Sequence, residues 1–151
     1  RNMKIKFYEK NIIENEKLLY AIVVSRYKNK WIFVKHKERN TWEIPAGHRE
    51  IDEDINLTAK RELFEETGAK EFEILYMYDY SLEIDGKESY AALFFAEIYS
   101  LENLPDFEIG EVKEFKDIPK NLTYPSIQPK LFEKIKEELI GSINQIMSER
   151  L

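Results

Sequence analysis

The chain has no cysteine in 151 residues, which excludes a disulfide framework, a zinc–thiolate centre and a thiol nucleophile. Histidine is nearly absent: His36 and His48 are the only two. Cationic residues are in deficit, with 23 Lys and Arg against 29 Asp and Glu and a formal charge of -6. That balance argues against a general nucleic-acid coat, which needs a basic surface to neutralise phosphates. An anionic ligand would need local help, from a metal ion or a few placed cations. Long apolar runs are missing too. No window reaches the roughly 18 residues of a membrane span, and RNMKIKFYEK lacks the core of a signal peptide, so no membrane partner and a cytoplasmic location are expected.

What is present fits one domain over 1–151, since no repeat, low-complexity tract or Pro/Gly/Ser linker divides it. LLYAIVVSRY (18–27) and WIFVKH (31–36) are β-branched and aromatic and predict a hairpin across YKNK. TWEIPAG (41–47) reads as a short extended piece punctuated by Pro45 and Gly47. From Asp54 the pattern turns helical: Asp52 or Asp54 caps the start, Leu57, Leu63 and Phe64 supply apolar contacts, and Gly68 ends it. Two strands, 72–84 and 88–100, follow, joined by the turn pair Asp85-Gly86. Residues 111–119 predict a further short strand. Ile127, Leu131, Ile135 and Leu139 predict a C-terminal helix, which Ile143, Ile146, Met147 and Leu151 extend beyond Gly141. That end packs on the core or contacts a second subunit, as in a homodimer. The order predicts an α+β or α/β sandwich on a mixed sheet.

RELFEETG (61–68) poses a chemical question. At about 100° per residue, Glu62, Glu65 and Glu66 fall within an arc of roughly 100°. Three carboxylates sharing a patch repel one another and raise each other's pKa values. They also sit near the helix C-terminus, where the macrodipole disfavours negative charge. A solvated acidic face is the plain reading, but a divalent cation would relieve both costs, and oxygen ligands favour Mg²⁺, Mn²⁺ or Ca²⁺. Arg61 is placed to bridge to Glu65 at i+4 or back to Glu53.

The wider window GHREIDEDINLTAKRELFEETGA (47–69) resembles the signature of the Nudix hydrolases, G-x5-E-x7-R-E-U-x-E-E-x-G-U. All seven fixed positions match, at chance odds on the order of one in 10⁸ to 10⁹ for a given start. The resemblance implies a Nudix-type α/β/α sandwich with a mixed β-sheet. It also implies hydrolysis of a nucleoside diphosphate linked to a group X, a small-molecule nucleotide substrate. By resemblance, Glu62 and Glu66 are the principal ligands of Mg²⁺, with Mn²⁺ as the alternative. Glu65 shares a second metal or its waters, and the Ala46 carbonyl joins them. Any of the three glutamates can activate the water, and Glu53 bridges to Arg61 or to a metal-bound water. A distal acid often completes such sites. Glu108, Glu111 and Glu114 are the candidates, with Glu111 preferred because its segment leads into a strand. Lys35, Lys37 and Arg49 are the expected phosphate contacts. His36 and His48 could assist proton transfer, though the resemblance requires neither.

The group X lies outside the box. Ala46 in PAG resembles sugar-nucleotide and ADP-ribose members, yet the proline that marks ADP-ribose enzymes is missing from YDYSLEIDGK, as is the tyrosine of diadenosine-polyphosphate enzymes. Small size favours a nucleoside triphosphate pyrophosphohydrolase that accepts oxidised guanine nucleotides. ADP-ribose or sugar-nucleotide cleavage is the alternative. A nucleotide sensor without turnover is the reading from another class. Such regulators generally lose box residues and carry a DNA-binding appendage, and this chain keeps the whole box and has no room for one. Trp31, Trp42, Tyr76, Tyr78, Tyr80 and Phe94 are candidates in principle to stack a base, although most are expected to pack in the core or sheet.

Overall fold

The computed structural model describes residues 2–149; Leu151, expected to extend the last helix, lies outside them. Seven strands form one mixed sheet in the order β1-β5-β6-β2-β3-β7, with β4 paired to β2. These are β1 (Met3–Glu9), β2 (Leu18–Tyr27), β3 (Lys30–His36), β4 (Ala46–His48), β5 (Ala69–Ile84), β6 (Lys87–Leu101) and β7 (Ile109–Phe115). Among the strands of the described residues, β2 and β6 run parallel and the other strand pairings are antiparallel. Residues 3–9, to which the sequence pattern assigned no element, form the edge strand β1. Its alternation of Met3, Ile5 and Phe7 with two lysines follows the period of two that a half-buried strand requires.

Alternating side chains of the central strand β2 feed two separate cores, because successive residues of a strand face opposite sides. Ile22 and Val24 join Trp31, Phe33 and Leu93 under Leu131, Phe132 and Ile135 of α2 (Gln128–Glu149). Ala21 and Val23 join Ile32, Ala92 and Phe94 under Ile55, Ala59 and Leu63 of α1 (Ile55–Thr67). Helix, sheet and helix thus form the expected sandwich.

The ends of α1 are fixed by two residues. Asp54 accepts a hydrogen bond from the Asn56 N–H and is the N-cap, whereas Asp52 stands in a left-handed turn before it. Gly68 adopts φ 78° and donates to the Phe64 carbonyl. Leu57 and Phe64 do not supply the expected core contacts; both are exposed. The buried stripe is instead Ile55, Ala59, Leu63 and Glu66, flanked by Thr58 and Thr67, and Leu57 points away from it by helical spacing.

Helix α2 runs through Gly141 to Glu149, but its second half does not pack on the core: Ile140, Ile143, Ile146 and Met147 are all more than half or about half exposed. Between β5 and β6, Asp85 and Gly86 both take positive φ, as a two-residue hairpin turn demands. β7 starts two residues earlier than the pattern suggested and ends at Phe115.

Gly68→Ala should lower stability by about 2 kcal/mol, since a Cβ there meets the Glu102 carbonyl oxygen at 2.6 Å in addition to the left-handed backbone. Urea denaturation measures it. A variant within about 0.5 kcal/mol of the parent would show that this helix end does not depend on the glycine.

Candidate active site

One guanidinium organises the loop that enters α1. Arg61 donates from Nε to Glu53 Oε2 at 2.8 Å and from Nη2 to Glu53 Oε1 at 2.9 Å. The same Nη2 reaches the His48 carbonyl at 2.9 Å, and Nη1 reaches Glu62 at 2.8 Å and Glu65 at 3.3 Å. Both bridges open to Arg61 in the sequence, to Glu53 and to Glu65, are therefore made. Glu53 also accepts from the Thr58 hydroxyl and the Glu50 N–H. Hydrogen bonding to Arg61 is the main reason its carboxyl is lowered to about 2. A bidentate Arg–carboxylate pair is directional as well as charged, and it pins the loop 45–54 to the helix.

Behind that clamp the other glutamates converge. Glu62, Glu65 and Glu66 line a cavity of about 140 Å³ together with Phe107, Glu108 and Ile109. Glu66 is buried, and its Oε1 accepts from the Ala46 N–H at 2.9 Å. Burial is the chief cause that pushes its carboxyl up to about 8, against that hydrogen bond, and the negative charges of Glu62, Glu43 and Glu108 add to it. Burial raises Glu62 as well, with Arg61 opposing. Gly47 lets the loop approach: a Cβ at that position would fall on the Glu62 carboxylate.

Of the three acids offered as the distal one, Glu108 lines the cavity and Glu111 does not. Glu111 sits opposite Lys35 in the β3–β7 register and pairs with it at 3.7 Å. The register shifts between Lys35 and His36, and Gly110 is the extra residue, so alternation cannot be carried backward from Glu111 to Glu108. Lys35 also lies 4.5 Å from the Trp42 ring centre. Lys37 is paired with Asp106 at 2.5 Å. Arg49 ties the loop to the chain before β2, donating to the carbonyls of Glu16, Leu18 and Glu50 at 3.0 Å each. None of these three cations lines the cavity. His36 stands 4.0 Å from Glu43 and the His48 ring packs on Tyr20. Of the aromatic candidates, Trp31, Trp42, Tyr80 and Phe94 are buried, and the half-exposed Phe107, which carried no signal beyond its exposure, is the ring at the cavity.

The donor set suits a hard divalent cation: four carboxylates face one cavity and two of them are held above the ordinary carboxylate range by burial and mutual repulsion. Among the described residues no three carboxylates already stand at ligand geometry. Arg61 holds Glu62 and Glu65, so binding an ion entails a contest with its guanidinium.

Crowded acids of this kind, on a helix stapled to a close-approaching glycine loop, form a donor set suited to a divalent cation. The NUDIX domain family matches residues 13–140, and the chain belongs to the Nudix hydrolases. It is 32% identical over 127 residues, 76% of this chain and 78% of the relative, to the Bacillus subtilis (strain 168) protein named "Putative 8-oxo-dGTP diphosphatase YtkD". The crystal structure of a mutant of the Bacillus subtilis pyrophosphohydrolase BsRppH is similar at TM-score 0.74 and 25% identity, over 90% of each chain. An ADP-ribose pyrophosphatase from Streptococcus suis 89-1591 shares the fold at TM-score 0.58 and 14% identity, over 78% of this chain and 87% of that one. No helix among the described residues is long and apolar enough to cross a membrane.

Two outcomes follow from this geometry. Gly47→Ala displaces the carboxylate end of Glu62 and leaves the backbone in place, so turnover should fall at least about 10-fold with little change in melting temperature; loss of both together would contradict it. The Glu66 carboxyl, raised in the folded state, holds its proton more tightly than in the unfolded chain. Without metal, the associated stability is full below the ordinary carboxylate pKa of 4.5 and is lost as pH rises through about 8. Glu66→Gln should abolish that loss, and thermal melts in chelator from about pH 5 to about pH 9 would show a shallower decline than the parent.

Proposed function

We propose that this Nudix hydrolase is a divalent-metal-dependent pyrophosphohydrolase of nucleoside triphosphates, oxidised guanine nucleotides among them, releasing monophosphate and pyrophosphate. The observation that carries the reading is the convergence of Glu62, Glu65, Glu66 and Glu108 on one cavity. The similarity to a relative named for 8-oxo-dGTP supports the choice of X.

Glu62 and Glu66 would be the principal ligands of Mg²⁺ or Mn²⁺, with Glu65 and the Ala46 carbonyl completing the set and Glu108 in place of Glu111 as the distal acid. When bound, the ion neutralises polyphosphate charge and lowers the pKa of water. The protein's own groups do the rest. Arg61 and Glu53 hold the loop so that Ala46 and Gly47 stay against Glu66 and Glu62. In the reaction the water oxygen bonds to one phosphorus as the bridging P–O bond to its neighbour breaks. A glutamate at the cavity takes the water proton, and the departing phosphate carries away the electron pair. Enclosure by α1 and the 107–109 segment lowers the local dielectric and strengthens each of these interactions.

Phosphorus NMR in ¹⁸O-water tests the reading, with nucleoside triphosphates, 8-oxo-dGTP, ADP-ribose and diadenosine polyphosphates as substrates. Expected are pyrophosphate and a monophosphate from triphosphates, with turnover reduced about 100-fold or more in Glu66→Gln. Cleavage of ADP-ribose alone would replace the triphosphate assignment. Binding without turnover across the panel, with Mg²⁺ and Mn²⁺, would make the chain a sensor.

A further inference from the structure

The cations expected to meet phosphate are engaged elsewhere, and among the described residues none that lines the cavity is cationic. Arg61 is spent on the glutamates, Lys37 on Asp106, Lys35 on Glu111 and Trp42, and Arg49 on backbone carbonyls. One guanidinium nearby is held differently. Arg39 donates from Nη1 to Glu43 Oε2 at 2.9 Å and to the Tyr124 hydroxyl at 3.5 Å. Its side chain is 44% exposed while that of Glu43 is 11% exposed. Among the described residues its Nε and Nη2 make no hydrogen bond, so one edge of the fork is left to a ligand.

Its position is set by the strands around the cavity. The turn after β3 lies beside the segment that carries Glu108: the Lys37 N–H donates to the Glu108 carbonyl at 2.9 Å, and His36 is the register partner of Ile109, a cavity residue. The Arg39 N–H closes the same turn on the His36 carbonyl at 3.1 Å. Glu43 bridges to Val34 of β3 and precedes Ala46 by three residues, and its charge is among those that act on Glu66. A carboxylate buried this far is costly unless paired. Arg39 and the Thr123 hydroxyl, at 3.1 Å, pair it. The clamp removes rotamer freedom from a long side chain before any ligand arrives, so less is lost when the fork meets a phosphate.

We infer that Arg39, clamped by the buried Glu43, binds the substrate's pyrophosphate group opposite the glutamates of α1, with Glu43 and Tyr124 as its positioning residues. The inference rests on the polyphosphate reading but not on the identity of the nucleoside.

Calorimetric binding of magnesium imidodiphosphate, a non-hydrolysable pyrophosphate, tests it without requiring turnover. Arg39→Met should weaken binding about 10-fold or more, as expected for loss of a charged fork. Arg39→Lys should recover part of that loss; it keeps Glu43 paired and should melt with the parent, whereas Arg39→Met leaves the buried carboxylate one partner short and should melt lower. Glu43→Gln keeps the Arg39 charge and loosens its side chain, so imidodiphosphate affinity should fall by more than Mn²⁺ affinity changes. On any nucleotide that the parent cleaves, Arg39→Met should raise KM. Equal imidodiphosphate affinity in parent and Arg39→Met overturns the inference, even where triphosphate turnover is normal. Failure to cleave triphosphates, with the affinity difference intact, rejects the substrate assignment alone.

Discussion

The bidentate pair between Arg61 and Glu53 is the constraint on which the site depends. Residues 45–54 have little secondary structure of their own beyond three residues of β4, and a loop of that kind is ordinarily mobile. Fastening it at both Arg61 nitrogens, and again through the His48 carbonyl, fixes the path of Ala46 and Gly47 against α1. The close approach that a missing Cβ permits at Gly47 becomes a stable feature instead of a transient one. Arg49 anchors the far side of the same loop through carbonyls of the segment before β2. Two arginines therefore serve architecture in a region where cations might have been assigned to substrate.

Opposed to this order is an electrostatic tension that the fold does not discharge. Glu66 lies inside, Glu62 is close to it, and Glu108 arrives from the segment before β7, so the protein assembles negative charge where the dielectric is low. Arg61 compensates Glu62 and Glu65 but does not reach Glu66. The cost is borne by α1 as a whole: its buried stripe gives one position to Glu66 and two flanking ones to threonines that bond back to the helix or to Glu53. A helix serving packing alone would place apolar residues there. The site's demand for charge thus shows in the modest apolar content of the helix that bears it.

The sandwich supplies what that helix cannot. Two independent cores on the faces of one sheet let α2 carry most of the aromatic packing, with Phe132 set between Trp31 and Phe33. α1 is left free to present carboxylates. The pairing of β3 with β7 brings the turns after β3 and before β7 together, and there Glu108 and Phe107 line the cavity. Members of the family share the box; these peripheral groups lie outside it.

How much was legible follows from how far apart the interacting residues are. Spacing along α1 determined the convergence of Glu62, Glu65 and Glu66, because one helix with a fixed rotation per residue leaves no freedom. The cap at Asp54, the stop at Gly68 and the Asp85-Gly86 turn were legible for the same reason, each being a local backbone requirement. The alternating strands and the terminal helix gave the sandwich. What stayed hidden depends on contacts between distant segments. The bulge at Gly110 breaks the alternation between Glu111 and Glu108; partners far along the chain decide which cations are committed, as Asp106, 69 residues away, does for Lys37. Burial of Glu66, and with it the raised pKa, exists only once α1 closes on the loop. By itself the sequence determined the helix, its carboxylate face and the family's chemistry. Only the tertiary structure decided which distant charges reach that face, because sheet register and burial are properties of the assembled chain.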